Sequence, residues 1–292
     1  MQLLDGKALA KTIKEELAEQ VKQLKTKGQR APHLAAVLVG DNPASQTYVR
    51  SKVRSCEQVG FASTLVTEPA GVSQDRLLEI VRSLNDNPEV DGFIVQLPLP
   101  DHIDADAVTL AIDPAKDVDG FHPVNFGRMA QGLPAYVPAT PNGILEMLRR
   151  AQIPTSGKEV VVVGRSNIVG TPISILLSRK AEPGNATVTL CHSRTKDLPT
   201  HVRRADIVIA AIGIPNFISA DMIKEGAVVI DVGINRVDDA SRKKGYRLVG
   251  DVDFEAVREK ASHITPVPGG VGQLTVVSLL MNTLKAHQGG VY

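Results

Sequence analysis

Along most of the chain, short apolar runs rich in β-branched residues alternate with longer segments whose apolar positions recur every three or four residues. The first pattern suits strands buried on both faces and the second suits helices with one covered face. Their order predicts a parallel sheet with helices on either side, an α/β fold class. The first half reads as helix 5–27, strand 34–39, helix 44–59, strand 63–66, helix 73–85 and strand 92–97. Thr140 and Pro141 then cap and open a helix to Arg150, and strands are expected at 160–163, 187–190, 207–211 and 228–232. The last helix, 275–287, carries Val276, Leu279, Leu280 and Leu284 on one face, which should be the buried one.

Two stretches lack such periodicity. Residues 113–141 are rich in Pro, Gly and Asp and read as an extended connection of the functional kind, because their apolar and aromatic residues argue against disorder. Residues 289–292, Gly-Gly-Val-Tyr, read as a frayed tail. The full length of 292 residues, 43% hydrophobic and 22% charged, accommodates one large or two medium domains.

Charge narrows the partner. With 33 basic and 32 acidic residues the net charge is +1, which provides no field for nucleic acid or an anionic membrane and leaves a small molecule as the expected ligand. No stretch has the roughly eighteen uncharged apolar residues of a membrane span, and Asp5 and Lys7 precede any apolar run, so a cytoplasmic location is expected. Cys56 and Cys191 fall in different halves and suggest neither a disulfide framework nor a metal site.

The segment 160–171, VVVVGRSNIVGT, reads as a buried strand, a glycine turn at Gly164 and the start of a helix at Gly170 and Pro172. That order builds a phosphate cradle, since the free N–H groups and positive dipole end of the helix attract a pyrophosphate. The match to the dinucleotide fingerprint is imperfect, with Ser166 and Val169 where glycines are usual. After the next strand stands Cys191-His192-Ser193-Arg194, with no acid to bind ribose hydroxyls. Ser193, Arg194 and Arg165 instead suit a 2′-phosphate, which favours NADP over NAD.

Four further groups of residues have chemical potential. Tyr48 and Lys52 lie one turn apart on a helix face shared with Ser45 and Cys56, and a lysine half buried beside a tyrosine is a candidate base near neutral pH. Gln96 opens Gln-Leu-Pro-Leu-Pro at the carboxyl end of an expected parallel strand, the edge where ligands of such sheets bind. In Lys116-Asp117-Val118-Asp119-Gly120-Phe121-His122-Pro123, no second histidine or cysteine sits at ligand spacing, so metal is set aside. A carboxylate there suits two parallel hydrogen bonds to an amidine-like edge of a heterocycle. The run 266–272, with Pro268, Gly269 and Gly270, combines stiffening prolines with glycines that allow close approach, a backbone wall for a pocket.

Six of these segments together resemble, nearly end to end, the bifunctional methylenetetrahydrofolate dehydrogenase/methenyltetrahydrofolate cyclohydrolase family. They are VGDNPASQTYVRSK (39–52), QLPLP (96–100), KDVDGFHPVNFGR (116–128), GRSNIVGTP (164–172), DVGIN (231–235) and ITPVPGGVG (264–272). The resemblance implies two α/β domains with a cleft between them and a homodimer. Residues 1–139, joined by the C-terminal helix 275–292, would form the catalytic, folate-binding domain, and 140–274 a Rossmann-like NADP-binding domain.

By the same resemblance Lys52 is the catalytic lysine, with Tyr48, Gln96 and Asp119 shaping the folate site and Pro268, Gly269 and Gly270 lining it. Gly164, Arg165, Ser166, Ser193 and Ile234 would contact NADP. The chain departs from the family at Gln273-Leu274, often Pro-Met, and at Ala139, often Cys; Gln273 restores an N–H that proline lacks. Rival readings are a dehydrogenase without the hydrolytic step and a non-catalytic nucleotide-binding protein, and intact Lys52 and Asp119 favour the bifunctional enzyme.

Overall fold

A computed structural model describes residues 1–242 and 245–292. The chain forms two compact units: a first of Lys11–Ala139 with Val276–Tyr292, and a second of Met1–Ala10 with Thr140–Thr275. The N-terminal residues, expected with the first domain, thus group with the second, because β1 (Gln2–Leu3) adds to a sheet formed much later in the chain. Helix α1 (Gly6–Thr26) follows, its first turn closed by Asp5 Oδ1, which accepts from the N–H groups of Lys7 (2.9 Å) and Ala8 (3.0 Å).

The first unit is built on β2 (His33–Val39), α2 (Pro43–Val59), β3 (Ala62–Glu68), α3 (Gln74–Asp86) and β4 (Gly92–Val95). The three strands are parallel in the order β3-β2-β4, and central β2 is buried at six of its seven positions. Alternate residues Ala35, Val37, Val39, Phe93 and Val95 form one face, packed with Leu77, Ile80, Val81 and Leu84 of α3. Here the two periods meet: side chains two apart on strands cover side chains three or four apart on a helix.

The stretch read as an extended connection is partly helical. Beyond α4 (Ala105–Ala111) it contains α5 (Pro123–Ala130) and leads into α6 (Ala139–Arg150). Helix α5 begins at Pro123 because His122 caps it, Nδ1 accepting from the Val124 N–H at 3.1 Å. With only Asn125 and Met129 buried, eight residues are too few to show a helical period in sequence.

The second unit contains β5 (Glu159–Val163), α7 (Gly170–Ser178), β6 (Thr187–Cys191), α8 (Leu198–Arg203), β7 (Ile207–Ala210) and β8 (Val228–Asp231). A two-stranded antiparallel hairpin, β9 (Asn235–Asp238) and β10 (Tyr246–Val249), precedes α9 (Phe254–Val257) and β11 (His263–Ile264). Its six-stranded parallel sheet has the order β1-β11-β8-β7-β5-β6. Strand order reverses at β5, whose neighbours are β6 and β7, so the crevice at a topological switch point opens at the carboxyl end of β5. The second unit is Rossmann-like.

Helix α10 (Val271–His287) returns to the first unit from Val276 onward. Between 276 and 284 every position except 281 is buried, so it is covered almost all round rather than on the single face its leucines suggest. The residues after it are ordered as well: Val291 is buried, and the Tyr292 hydroxyl donates to Asn125 Oδ1 at 2.9 Å. Arg128 stacks over the Tyr292 ring, 5.0 Å from its centre. Among the described residues no helix is long and apolar enough to cross a membrane.

Helix α2 depends on its caps. Asn42 Oδ1 accepts from the N–H groups of Ala44 (2.9 Å) and Ser45 (3.2 Å), Pro43 occupies the first turn, and Gly60 at φ 81° closes the far end. Asn42→Ala is therefore expected to lower stability by about 1 kcal/mol. Urea unfolding should show it as a lower midpoint at unchanged slope.

Candidate functional site

The caps of α2 set its rotation, and that rotation directs Lys52 inward with Ser45, Val49, Ser55, Cys56 and Val59. Lys52 is only 8% exposed. Its Nζ donates to Gln96 Oε1 at 3.1 Å. Gln96 follows β4 directly; its N–H donates to the Val37 carbonyl at 2.9 Å, and its Nε2 donates to the Leu97 carbonyl at 2.6 Å. The amide is thereby held with its oxygen toward the lysine. Tyr48, one turn earlier, is 39% exposed and its hydroxyl has no hydrogen-bond partner among the described residues, although partial burial raises its pKa. Cys56, the next residue of the face, has its thiol pushed up to about 12, chiefly by desolvation, and is inert.

Asp119 stands on the irregular stretch beside β4. This stretch extends the sheet locally: Phe93 donates to the Lys116 carbonyl at 3.0 Å, and Phe93 bridges to Asp117 in parallel register. The two acids of the motif differ in kind. Asp117 is buried and accepts from the N–H groups of His122 (2.8 Å) and Phe121 (3.2 Å) and from Asn125 Nδ2 (3.0 Å). Desolvation raises its pKa to about 6 against those bonds, so it serves as the loop's internal anchor.

Asp119 accepts no hydrogen bond from any described residue. Desolvation raises its pKa, and the Lys52 ammonium nearby opposes the rise without a direct ion pair. A desolvated carboxylate with open acceptor positions, in the electrostatic reach of a lysine held by an amide, is suited to bind donors from outside.

In the second unit, the turn after β5 shows why glycine is required. Gly164 has φ +115°, and a Cβ there would strike the Ala211 carbonyl. A Cβ on Gly170 would strike the carbonyl of Gly164, so α7 starts hard against the turn. No side chain caps α7 at Val169; Ser166 Oγ instead accepts from the Val169 N–H at 3.2 Å. Arg165 and Ser166 are exposed at this edge. Ser193 and Arg194 are the exposed central residues of a turn closed by the Thr195 N–H on the His192 carbonyl at 2.8 Å. An uncapped helix start, a glycine turn a Cβ would fill and a basic rim are the residues a dinucleotide phosphate needs.

Sequence reasoning missed the pair that shapes the neighbouring loops. Asp251 Oδ2 accepts from the N–H groups of Ile212 (2.7 Å) and Gly213 (2.9 Å), and Oδ1 accepts from Asn235 Nδ2 (2.9 Å). Asp231 accepts from the N–H groups of Gly233 (2.9 Å), Asp251 (2.9 Å) and Val252 (3.0 Å), and desolvation raises its pKa to about 6. Together the two carboxylates tie the ends of β7 and β8 and hold Ile214 and Ile234 outward, the latter 45% exposed. The available signal was the recurrence of Asp beside Gly at 231–233 and 250–251.

The proline-glycine wall belongs to the second unit, whereas Lys52, Gln96 and Asp119 belong to the first. Pro268 is exposed, Gly269 has φ +112° and its carbonyl accepts from the Lys7 N–H at 3.0 Å, and Gly270 is buried with its carbonyl against Gly6. Ile234 packs at Gly272, where a Cβ would be 3.0 Å from its Cδ1. The N–H that Gln273 supplies is used, donating to the Gly270 carbonyl at 3.2 Å. Leu274 is buried against Gly143, and Ala139 is buried at the start of α6.

Comparison with known proteins agrees with this geometry. The model of the tetrahydrofolate dehydrogenase/cyclohydrolase catalytic domain matches residues 4–119, and that of the tetrahydrofolate dehydrogenase/cyclohydrolase NAD(P)-binding domain matches residues 138–290. A protein of Flavobacterium johnsoniae, described as bifunctional protein FolD, is 59% identical over 288 residues, which cover 99% of this chain and 98% of that one. The crystal structure of the bifunctional methylenetetrahydrofolate dehydrogenase/cyclohydrolase FolD of Campylobacter jejuni is 48% identical with a TM-score of 0.93, covering 99% of both chains. The Trypanosoma brucei methylenetetrahydrofolate dehydrogenase-cyclohydrolase, solved with NADP and an inhibitor, is 43% identical with a TM-score of 0.93, over 99% of this chain and 98% of that one. Two domain models in order and full-length relatives well above half identity place the chain in the tetrahydrofolate dehydrogenase/cyclohydrolase family.

Proposed function

We infer that the protein oxidises 5,10-methylenetetrahydrofolate to 5,10-methenyltetrahydrofolate with NADP and hydrolyses the methenyl form to 10-formyltetrahydrofolate, two steps of one-carbon metabolism. The observation that carries this reading is the Lys52–Gln96 hydrogen bond beside the unpartnered, desolvated carboxylate of Asp119. Lys11–Ala139 with the end of α10 is then the folate domain, and the Rossmann-like unit binds the cofactor.

Bound NADP supplies the hydride acceptor. In the first step the methylene carbon loses hydride, and the lone pairs of its two nitrogens stabilise the cation that results, so the protein contributes mainly position. Asp119 accepts from the pterin N–H and amino donors and thereby sets where the bridge carbon lies. In the second step water adds to the methenyl carbon and gives up one proton; the bond to one nitrogen then breaks as the remaining hydroxyl proton passes to that nitrogen, which leaves the formyl group on the other. Lys52, oriented by Gln96, aligns that water and assists the removal of its proton. Tyr48, on the same helix face with a free hydroxyl, and the wall at Pro268, Gly269 and Gly270 complete the substrate contacts. Gly164, Arg165, Ser166, Ser193 and Ile234 contact the cofactor, with the basic rim reading its 2′-phosphate.

We further infer a homodimer. Strand β3 is an edge strand, exposed at five of its seven positions, with Leu65 44% exposed. An open, regular edge of this kind with an outward leucine invites pairing with a second copy. Cys56 and Cys191 are both free and buried, as suits a reducing compartment, and we place the protein in the cytoplasm.

Lys52→Ala should lower methenyl hydrolysis by at least about a hundredfold while leaving NADP affinity within twofold, read from the decay of methenyl absorbance and from fluorescence titration. Hydrolysis at the parental rate would remove Lys52 from the mechanism. The parent should prefer NADP over NAD by at least about tenfold in kcat/KM, or ~1.4 kcal/mol, and Arg165→Ala should erase most of that preference. Leu65→Lys should convert a dimer to a monomer in sedimentation velocity, whereas an unchanged sedimentation coefficient would reject β3 as the contact.

A further inference from the structure

The Asp119 side chain makes no hydrogen bond with any described residue, so within the protein the direction in which it leaves the chain is set by the backbone that carries it. That backbone is held at three successive points. Asp117 is locked from within by Asn125, a fully buried amide whose every hydrogen-bonding position is filled. Its Nδ2 donates to the Pro114 carbonyl (2.9 Å) and to Asp117 Oδ2 (3.0 Å), and its Oδ1 accepts from the Tyr136 N–H (3.3 Å) and the Tyr292 hydroxyl (2.9 Å). Gly120, at φ +74°, lies so close to the chain at 136–138 that a Cβ would come within 2.7 Å of Pro138 N. Between them, the carbonyl of Val118 accepts from Asn282 Nδ2 at 2.8 Å.

The Val118 carbonyl belongs to the peptide plane that joins Val118 to Asp119, so its orientation sets the direction in which the Asp119 Cα–Cβ bond leaves the chain. Asn282 is buried on a helix whose neighbouring positions are mostly Val, Leu, Ser and Thr. Its Nδ2 uses both hydrogens on two carbonyls, Val118 and Val137 (2.9 Å), the two segments that embrace Gly120. The Val137 segment has separate support, because Lys285 Nζ donates to the Ala135 carbonyl at 3.1 Å and the Tyr136 hydroxyl donates to the Ala115 carbonyl at 3.0 Å. The Val118 carbonyl receives no other donor among the described residues, so holding it is the distinctive task of Asn282.

We propose that Asn282 is a positioning residue for Asp119, fixing from the last helix the peptide plane on which the folate-binding carboxylate stands. The proposal rests on the assignment of Asp119 to folate. A swing of the peptide by about 30° carries a carboxylate roughly 1 Å, and a misplacement of about 1 Å can cost a hundredfold in rate. Removing the amide leaves a carbonyl buried without a donor, which drives such a swing.

The test is a double-mutant cycle on methenyl hydrolysis, which needs no NADP, using the full-length protein with Asn282→Leu, Asp119→Ala and the combination. Asn282→Leu should raise the KM for methenyltetrahydrofolate at least about tenfold, with NADP affinity by titration unchanged within twofold. In the Asp119→Ala background the same change should add less than a twofold increase. Asn282→Ser, which keeps one donor, should recover part of the loss in the Asp119-containing protein, and it takes the place of Asn282→Leu throughout the cycle if the leucine variant does not fold. An equal KM increase with and without Asp119, or no increase with Asp119 present, overturns the proposal. An Asp119→Ala protein with the parental KM overturns the assignment of Asp119 to folate and the proposal with it.

Discussion

A polar group taken out of water must find a partner within the protein or be compensated by one that arrives, and this constraint organises the loops of both units. Asp117, Asp231 and Asp251 are buried carboxylates, each saturated by backbone N–H groups or side-chain amides, and each closes an irregular segment that no strand or helix could shape. Asn125 and Asn282 do the same with amides. Asp119 differs from these three carboxylates: desolvation raises its pKa, the charge of Lys52 opposes that rise, and no described residue donates to it. The three anchoring carboxylates are taken up by the fold itself, whereas Asp119 keeps its acceptor positions open.

The two parallel sheets place the chemistry in the same way. In the first unit the ends of β2 and β4 carry the capped start of α2 and Gln96, which brings a lysine of the following helix against an amide of the strand edge. In the second, the reversal of strand order at β5 opens the edge where Gly164 turns and α7 begins without a side-chain cap. Parallel strands put all their carboxyl ends on one side, so residues far apart in sequence share an edge with no long-range design beyond the crossover helices.

The segments legible in the amino-acid sequence were those whose signal is local. Val160 to Val163 are four β-branched residues followed by glycine, and a strand and turn follow from that alone. The Asn42, Pro43 and Gly60 signals bracket α2, and with its rotation given, Lys52 and Ser45 fall on one face. The illegible segments were those made by non-local bonds. Helix α5 is held by a histidine cap and by Asn125, whose partners lie at Pro114, Asp117, Tyr136 and Tyr292. Residues 289–292 look like a polar, glycine-rich tail, yet the Tyr292 hydroxyl completes that same amide. Strand β1 is two residues long and exists only because β11 pairs with it.

Local pattern therefore determined the α/β class, the glycine turn after β5, the helix face of Lys52 and the placement of Gln96 at a strand end, because caps, periodicity and backbone sterics act within a few residues. Tertiary structure alone decided that Gln96 rather than Tyr48 bonds Lys52, that Asp117 is an internal anchor while Asp119 is free, and that Asn282 reaches the peptide before Asp119 across 164 positions. The physical reason is that a buried side chain bonds whatever donor or acceptor the packed fold brings within about 3 Å, and no sequence spacing encodes that distance.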